Sequence, residues 1–434
     1  FPFLRGGRTP AFYRKPMPAG ITLSPTAATL LPPTELASRL NAAGGLVWLD
    51  TAVPDAGSLS MLAAQPVDLL VGNIFRDAPL LRRVLHQYQQ PHVADLGAPT
   101  GGLFGWVGFD GQYIFGIYPQ CHVFQHGNGA WLGGSASRLA ASSVSLPQRA
   151  FDASLQLEPQ MDKATFCKLV QRAQQYISAG DIYQVNLSYP WTGAWPADLD
   201  PLAFYQRLRD VSPAPFAAYL DLADMQVCSA SPECFLKMSG SHIVTRPIKG
   251  TRPRGHSRDA DHRLADELVH SPKERAELVM ITDLERNDLG RVCEYGSVHV
   301  TQLLHLEKHA QVHHLVSTVE GTLRSDVDQL DAFLACFPGG SISGAPKKRA
   351  LEIIHELEPY ERGLYTGVIG CFGFNGESQF SIAIRTAWQR HGRMHFHTGA
   401  GIVADSDPEH EWEETRHKAA GLLAAAQGHP RAAL

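Results

Sequence analysis

Apolar residues recur at helical spacing in a few stretches of the chain and at alternate or adjacent positions through most of the rest. Phe166, Leu169, Val170, Ala173, Tyr176 and Ile177 form a stripe with a period near 3.6, and Gly180 follows where a helix usually ends. Beyond it, runs rich in β-branched and aromatic residues predict strands at Ile182–Trp191, Phe216–Leu222, Gln226–Ser229, His242–Arg246, Ser297–Leu306, Val312–Val319, Gly367–Phe374, Phe380–Trp388 and Met394–Val403. Further helices are predicted at about 259–270, 271–289, 346–357 and 407–425, too unevenly interleaved for a doubly wound sheet. The pattern predicts an α+β fold with a large antiparallel sheet. Upstream, Ala78–Gln89 has a helical period and Leu46–Leu49 is a short apolar run, both in Gly- and Pro-rich surroundings. The stretch 127–158, heavy in Ser, Ala and Gly, is the expected boundary between an N-terminal region, 1–150, and a second domain, 155–430.

With 434 residues, 44% of them hydrophobic, the chain can bury a large core. Its 38 basic and 43 acidic residues leave a formal charge of −5, which argues against gripping nucleic acid or a polybasic membrane surface and favours a small ligand. No apolar run approaches the ~18 residues of a membrane span. The first residues, Phe1–Gly20, lack the apolar core of a secretory signal and read as a loose arm. Seven scattered cysteines with no C-x-x-C pair disfavour a disulfide framework and a structural zinc site, so a reducing cytoplasm is expected.

Two acid pairs share one spacing. Glu274 and Glu277 fall three apart and so lie on one helical face; Ser271 as cap, Pro272 at the first helical position and Glu274 completing a capping box explain the first acid without any chemistry, but leave Glu277 unexplained. Glu411 and Glu414 repeat the spacing in a helix start that is acidic all round, as the helix dipole favours. Converging, the pairs would make an oxygen-rich site for Mg²⁺. Lys249, in Arg246-Pro247-Ile248-Lys249-Gly250-Thr251-Arg252, is expected in a loop after the strand His242–Arg246, either as a solvated charge or, if its amine is neutral, as a nucleophile. The stretch Gly339–Lys347 does not match a phosphate loop, because Ala345-Pro346 separates the last glycine from Lys347 and no Ser or Thr follows. His305, His309 and His313 have helical metal-ligand spacing but sit in a β-like segment, which would not hold them on one ion.

The segment Pro247-Ile248-Lys249-Gly250-Thr251-Arg252-Pro253-Arg254-Gly255 closely resembles the chorismate-utilising enzymes, which include anthranilate synthase component I, aminodeoxychorismate synthase component I and the isochorismate and salicylate synthases. The resemblance spans about residues 160–425 and includes, in order, Gly180–Ser188, Ser231-Pro232-Glu233, Lys273–Glu277, Asp283–Gly290, His314–Ser317, Ser343–Lys347, Ala383–Thr386, Gly399–Val403 and Glu414–Ala419. Weaker similarity upstream covers Val47–Thr51 and Gly102–Gly108; Leu49-Asp50-Thr51 and Ser212–Phe216 loosely match the tryptophan-pocket motifs of relatives.

The resemblance implies a chorismate-binding β-sandwich with helices packed outside. It implies Mg²⁺ held by Glu274, Glu277, Glu411 and Glu414; Lys249 as nucleophile at C2, Glu233 as acid for the departing C4 hydroxyl, and His314 as a helper at the ring. Substrate binding would fall to Gly250, Thr251, Ser341, Tyr365, Arg385, Gly399, Ala400, Gly401 and Lys418, with Arg385 and Tyr365 on the enolpyruvyl carboxylate. Gln184 stands where the isochorismate-forming members carry a lysine that activates water. Lys249 stands where anthranilate-forming members usually have alanine and a large group of aminodeoxychorismate-forming members have lysine. The implied reaction is amination of chorismate towards 4-aminobenzoate, with ammonia from a separate glutamine amidotransferase subunit in a heterodimer. An anthranilate-forming enzyme and a non-catalytic chorismate-binding subunit are the alternatives.

Overall fold

Strand residues alternate between two apolar interiors, and that alternation sets the layering. In the strand Val47–Asp50, Val47 and Leu49 join Phe104, Trp106, Leu220, Val227 and Ile369 in a cluster drawn from two sheets, while Trp48 between them points the other way, into a cluster with Leu62, Tyr219 and helix residues. The computed structural model describes residues 31–54, 57–93, 96–132, 154–309 and 312–427; the expected arm, Phe1–Gly20, and most of the Ser-, Ala- and Gly-rich boundary lie outside them.

Every ladder is antiparallel. The first sheet runs Gly344–Ala345, Gln184–Ala194, Arg393–Ile402, Thr386–Arg390, Met225–Ser231, Phe216–Leu222, Val47–Asp50, Leu59–Ala63, His122–Gln125, Ala130–Leu132. The second runs Ile248–Pro253, Val312–Thr322, His242–Arg246, Cys234–Ser239, Glu377–Ile382, Val368–Gly373, Gly102–Val107, Gln112–Tyr118, Leu69–Asn73. Strands from both sides of residue 150 therefore share both sheets. The helices Pro33–Asn41, Lys163–Ser178, Pro201–Val211, Lys347–Leu357 and Pro408–Gln427 cover the outer face of the first sheet, and Ile74–Gln87, Pro272–Gly290 and Gln329–Cys336 cover that of the second. This is the expected sandwich with helices outside. Among the described residues no helix is long and apolar enough to cross a membrane.

Two departures from the expected elements build the site. The predicted strand Phe380–Trp388 is two strands, Glu377–Ile382 in the second sheet and Thr386–Arg390 in the first, and the chain crosses between them at Ala383–Arg385, where Arg385 takes a φ of +50°. Period-2 alternation carries no mark of such a crossing, because the residues on either side remain buried. A second crossing, from Met225–Ser231 to Cys234–Ser239, runs beside it: the Ala230 N–H donates to the Arg385 carbonyl (3.1 Å), the Ile382 N–H to the Glu233 carbonyl (3.1 Å), and Ser231 Oγ to the Ile382 carbonyl (2.6 Å). Glu233 and Arg385 thus project from paired crossover points.

The expected loop around Lys249 is also a strand, Ile248–Pro253, paired with Val312–Thr322 through a bulge: Lys249 lies opposite Leu315 and Thr251 opposite His314, with Gly250 the extra residue. Gly250 has φ +77°, and a Cβ there would stand 2.6 Å from Leu268 Cδ1 and 3.1 Å from the Glu274 carboxyl, so only glycine lets the strand pass the helices this closely.

Candidate functional site

The edge strand Ile248–Pro253, the two crossovers, the loop 339–343, the paired strands Gln184–Ala194 and Arg393–Ile402 and the starts of two helices supply the side chains singled out above. Lys249 Nζ donates to the Ser341 carbonyl at 3.3 Å. Glu233 is buried; desolvation pushes its carboxyl above the usual range, although Ser341, Lys249, the Ile248 N–H and Lys418 all favour its charged form. An amine and a carboxylic acid inclined to keep its proton therefore face each other across Ser341.

His314 is buried, and its Nδ1 lies 3.0 Å from Thr251 Oγ1. Desolvation, helped by Arg385 and His309, pushes its pKa from 6.5 down to about 3. A neutral imidazole in the folded state contributes stability that is complete above pH 6.5 and declines as the pH falls towards 3. The ring-proton NMR shifts of His314 are accordingly expected to stay flat between about pH 8 and pH 5, where a free histidine would titrate; a midpoint near pH 6.5 would contradict this environment.

Arg385 has no hydrogen bond or ion pair from its guanidinium to any described residue, and desolvation lowers its pKa. Tyr365, with which it was expected to act, is not bonded to it. The buried Tyr365 ring stacks on His397 (5.3 Å between centroids), faces Arg362 and Lys418, and points its hydroxyl at Gly399, where a Cβ would stand 2.8 Å from the oxygen. Gly401 is tight in the same way: a Cβ would lie 3.0 Å from Gln184 Nε2 and 3.5 Å from Lys249 Nζ. Ala400 between them points into the apolar cluster beneath, which leaves only its backbone for a ligand.

The four glutamates reach one region but are differently engaged. Ser271 caps the helix at Glu274 N as expected, yet the Glu274 carboxylate turns to Arg252 (3.6 Å) instead of closing a capping box. Burial raises Glu277, Lys249 and Lys273 oppose that, and Glu274 and Glu414 add to it. Glu411 accepts from Ser406 Oγ (2.7 Å) and faces Lys273 (3.4 Å); Glu414 pairs with Lys418 Nζ at 2.6 Å, and Lys418 also donates to the Gly399 carbonyl (3.1 Å). Among the described residues, no three acids, histidines or cysteines are gathered into a ready-made metal centre.

The side chains of Gln184 and Asn186, alternate residues of one strand, are buried, and among the described residues neither amide atom of Gln184 has a hydrogen-bond partner. Two further participants carry no sequence signal. Glu358 and Arg362, whose i, i+4 spacing reads as an ordinary surface pair, are buried instead. Arg362 forks onto Glu358 (2.7 and 2.8 Å) and donates to the carbonyls of Asn186 (2.7 Å) and Ile342 (3.2 Å), tying the Tyr365 segment to the cleft. Of the histidines with helical metal-ligand spacing, His313 is buried against Asp261 (2.9 Å) and His309 faces Glu307 (3.3 Å).

A family model described as chorismate binding enzyme matches residues 85–424. Aminodeoxychorismate synthase component 1 of Bacillus subtilis is 48% identical over 260 residues, 60% of this chain and 55% of the relative; anthranilate synthase component 1 of Thermus thermophilus is 48% identical over 265 residues, 61% of this chain and 57% of the relative. The matched stretches thus span little more than half the length of either relative. Anthranilate synthase component I from Streptococcus pneumoniae superposes with a TM-score of 0.75 at 29% identity, covering 85% of this chain and 93% of that one. The menaquinone-specific isochorismate synthase of Escherichia coli, at 18% identity and a TM-score of 0.73 over 93% of each chain, shares the fold.

Proposed function

Because this chain belongs to the chorismate-binding enzyme family, we propose that it is an aminodeoxychorismate synthase component I, which converts chorismate and ammonia to 4-amino-4-deoxychorismate. The observation that carries this reading is the placement of Lys249. Its amine lies on a bulged edge strand beside a buried carboxyl, Glu233, and beside the amide of Gln184, the position at which water-using members resemble each other in carrying lysine.

In the proposed reaction the Lys249 amine attacks C2 of chorismate, the diene electrons shift towards C4, and the C4 hydroxyl leaves as water with a proton from Glu233. Ammonia then adds at C4 with the reverse shift and expels Lys249, leaving the enolpyruvyl ether intact. Burial suits Glu233 to this task by favouring its protonated form. Arg385, whose guanidinium has no partner among the described residues, would receive one substrate carboxylate, and Tyr365, Lys418 and the backbone around Gly399 and Gly401 line the cleft near it. Thr251 and His314 position the ring through their mutual hydrogen bond.

The donor set fits a hard divalent cation: no hydrogen bond or ion pair engages Glu277 among the described residues, and the neighbouring Glu274 and Glu414 raise its pKa further. A cation there would relieve that like-charge crowding. Glu274, Glu277, Glu411 and Glu414 would hold Mg²⁺, which when bound supplies charge for the ring carboxylate. Burial raises all seven thiols of the chain, so none is poised as a glutaminase nucleophile. A glutamine amidotransferase partner is proposed as the ammonia source.

Equal identity to an anthranilate synthase favours a second reading, in which pyruvate is eliminated to give anthranilate. Incubation with chorismate, Mg²⁺ and ammonia decides between them. The expected product becomes 4-aminobenzoate only when an aminodeoxychorismate lyase is added; fluorescent anthranilate as the main product would overturn the proposal.

A further inference from the structure

The helix Pro272–Gly290 carries Glu274 and Glu277 near its start and, two turns further on, a second acidic pair that the proposed reaction does not use. Glu285 is buried; one oxygen accepts the Gly340 N–H at 3.0 Å, and the other has no partner among the described residues. Asp288, one turn on, holds Lys347, whose amine also donates to the Cys336 carbonyl at 2.8 Å. These contacts join two segments that the sequence singled out without a role, Asp283–Gly290 and Ser343–Lys347. What they enclose is the loop 339–343.

That loop lies flat on the helix. A Cβ on Gly340 would stand 2.6 Å from Leu284 Cδ2 and 3.0 Å from Glu285 Oε1, so the backbone is seated directly on the acid. Ser343 Oγ closes the loop on the Gly339 carbonyl at 2.8 Å. From its centre, Ser341 offers its carbonyl to Lys249 Nζ (3.3 Å) and its side chain to Glu233. One hydrogen bond, Gly340 to Glu285, is thus a single residue away from both groups proposed to do the chemistry.

We propose that Glu285 is a positioning residue: by accepting the Gly340 N–H it sets the height of the loop 339–343, and through Ser341 it fixes the separation of the Lys249 amine from the Glu233 carboxyl. The groups facing it are Asp288 on its own helix, Lys347 from the start of the helix Lys347–Leu357, Glu233 from the crossover, and the Gly340 N–H. Burial raises its pKa to about 7, Lys347 and Gly340 pull it down, and Asp288 and Glu233 push it up. Glutamine is the fitting mimic, since it keeps an oxygen at the same reach to accept the Gly340 N–H.

The roles of Lys249 and Glu233 come from the proposed function, so the test needs a readout that does not depend on it. The rate at which acetic anhydride acylates Lys249, followed by peptide mass spectrometry against the exposed Lys237, reports the setting of the amine whatever the reaction. Glu285→Ala should change that ratio by at least about threefold and lower kcat for amination about 10- to 100-fold with KM within about threefold, while Glu285→Gln restores both measures to within about threefold of the parent. Should Glu285→Ala not fold, Gly340→Ala displaces the same loop by crowding Leu284 and Glu285 at that contact and should give the same signature. An unchanged Lys249 ratio in a folded Ala variant, or Glu285→Gln as impaired as Glu285→Ala, overturns the proposal. If no form of the protein aminates chorismate, the proposed function fails, and the acylation ratio alone decides the role of Glu285.

Discussion

Replacing Lys249 by alanine should lower kcat/KM for chorismate amination by at least about 10³-fold and remove a covalent intermediate along with it. The size follows from the chemistry. Hydroxide is a poor leaving group, and direct displacement at C4 by ammonia has no group on the cleft wall to start the electron shift; attack by the lysine at C2 divides one hard substitution into two easier ones. With ammonia withheld, intact-mass measurement of the parent protein should show a species heavier by chorismate less one water, absent in Lys249→Ala. A purely electrostatic lysine predicts something different. Lys249 lowers the pKa of Glu277, Glu233 and Glu414 simply by its charge, and Lys249→Arg would preserve that influence. Arginine is no nucleophile under these conditions. The nucleophilic role thus requires Lys249→Arg to be as inactive as Lys249→Ala; recovery to within about tenfold of the parent, or the same adduct in either variant, would exclude it.

How much of this was legible before the fold was known depends on whether a residue's function is local. The helix Pro272–Gly290 could be anticipated to within a residue at each end because its cap, first-turn proline and apolar stripe are all encoded within it. Strand count and uneven helix spacing point to an α+β fold with a large antiparallel sheet, while the sandwich itself is implied by the resemblance to the chorismate-utilising enzymes. The crossovers were not legible: Phe380–Trp388 stays apolar as it leaves one sheet for the other, and nothing local marks Arg385 as a left-handed residue. For the same reason Gly102–Val107, buried on both faces, shows no alternation and reads as a bare apolar run. Lys249 reads as a loop residue because Pro247 interrupts the pattern, whereas the chain resumes as a strand at once, on the far side of that proline. Glu285 and Arg362 escaped notice for a different reason. Each acts through a partner distant in sequence, Gly340 and Asn186, and such pairings arise only when the sheets and helices are assembled. The net charge of −5 is silent about the cleft, where the acids face Lys249, Lys273 and Lys418, because a global sum cannot see that arrangement.

Arg385→Leu is expected to move substrate affinity and protein stability in opposite directions. The guanidinium lies partly buried in the cleft, without an anionic partner, and desolvation lowers its pKa, so the ligand-free fold holds a cation in an unfavourable place. Leucine removes that charge and keeps much of the volume. Both residues have a Cβ and meet the same cost at φ +50°, so the difference between them reports the charge and not the backbone. Stability of the ligand-free variant, measured by the midpoint of urea unfolding, should rise by about 1 kcal/mol or more, as when unpaired or imperfectly paired buried charges are replaced by apolar groups. Affinity should fall, because a fork of two parallel N–H donors matches a carboxylate, whereas the neighbouring Lys418 is already engaged by Glu414 and the Gly399 carbonyl. The loss expected for truncating one partner of a desolvated charge pair is about 2–5 kcal/mol, or roughly 30- to several-thousand-fold in the dissociation constant for chorismate. Arg385→Lys, a point charge on a shorter reach, should recover only part of that binding. A leucine variant that is less stable than the parent yet binds chorismate equally well would mean that Arg385 supports the crossover and does not receive the substrate.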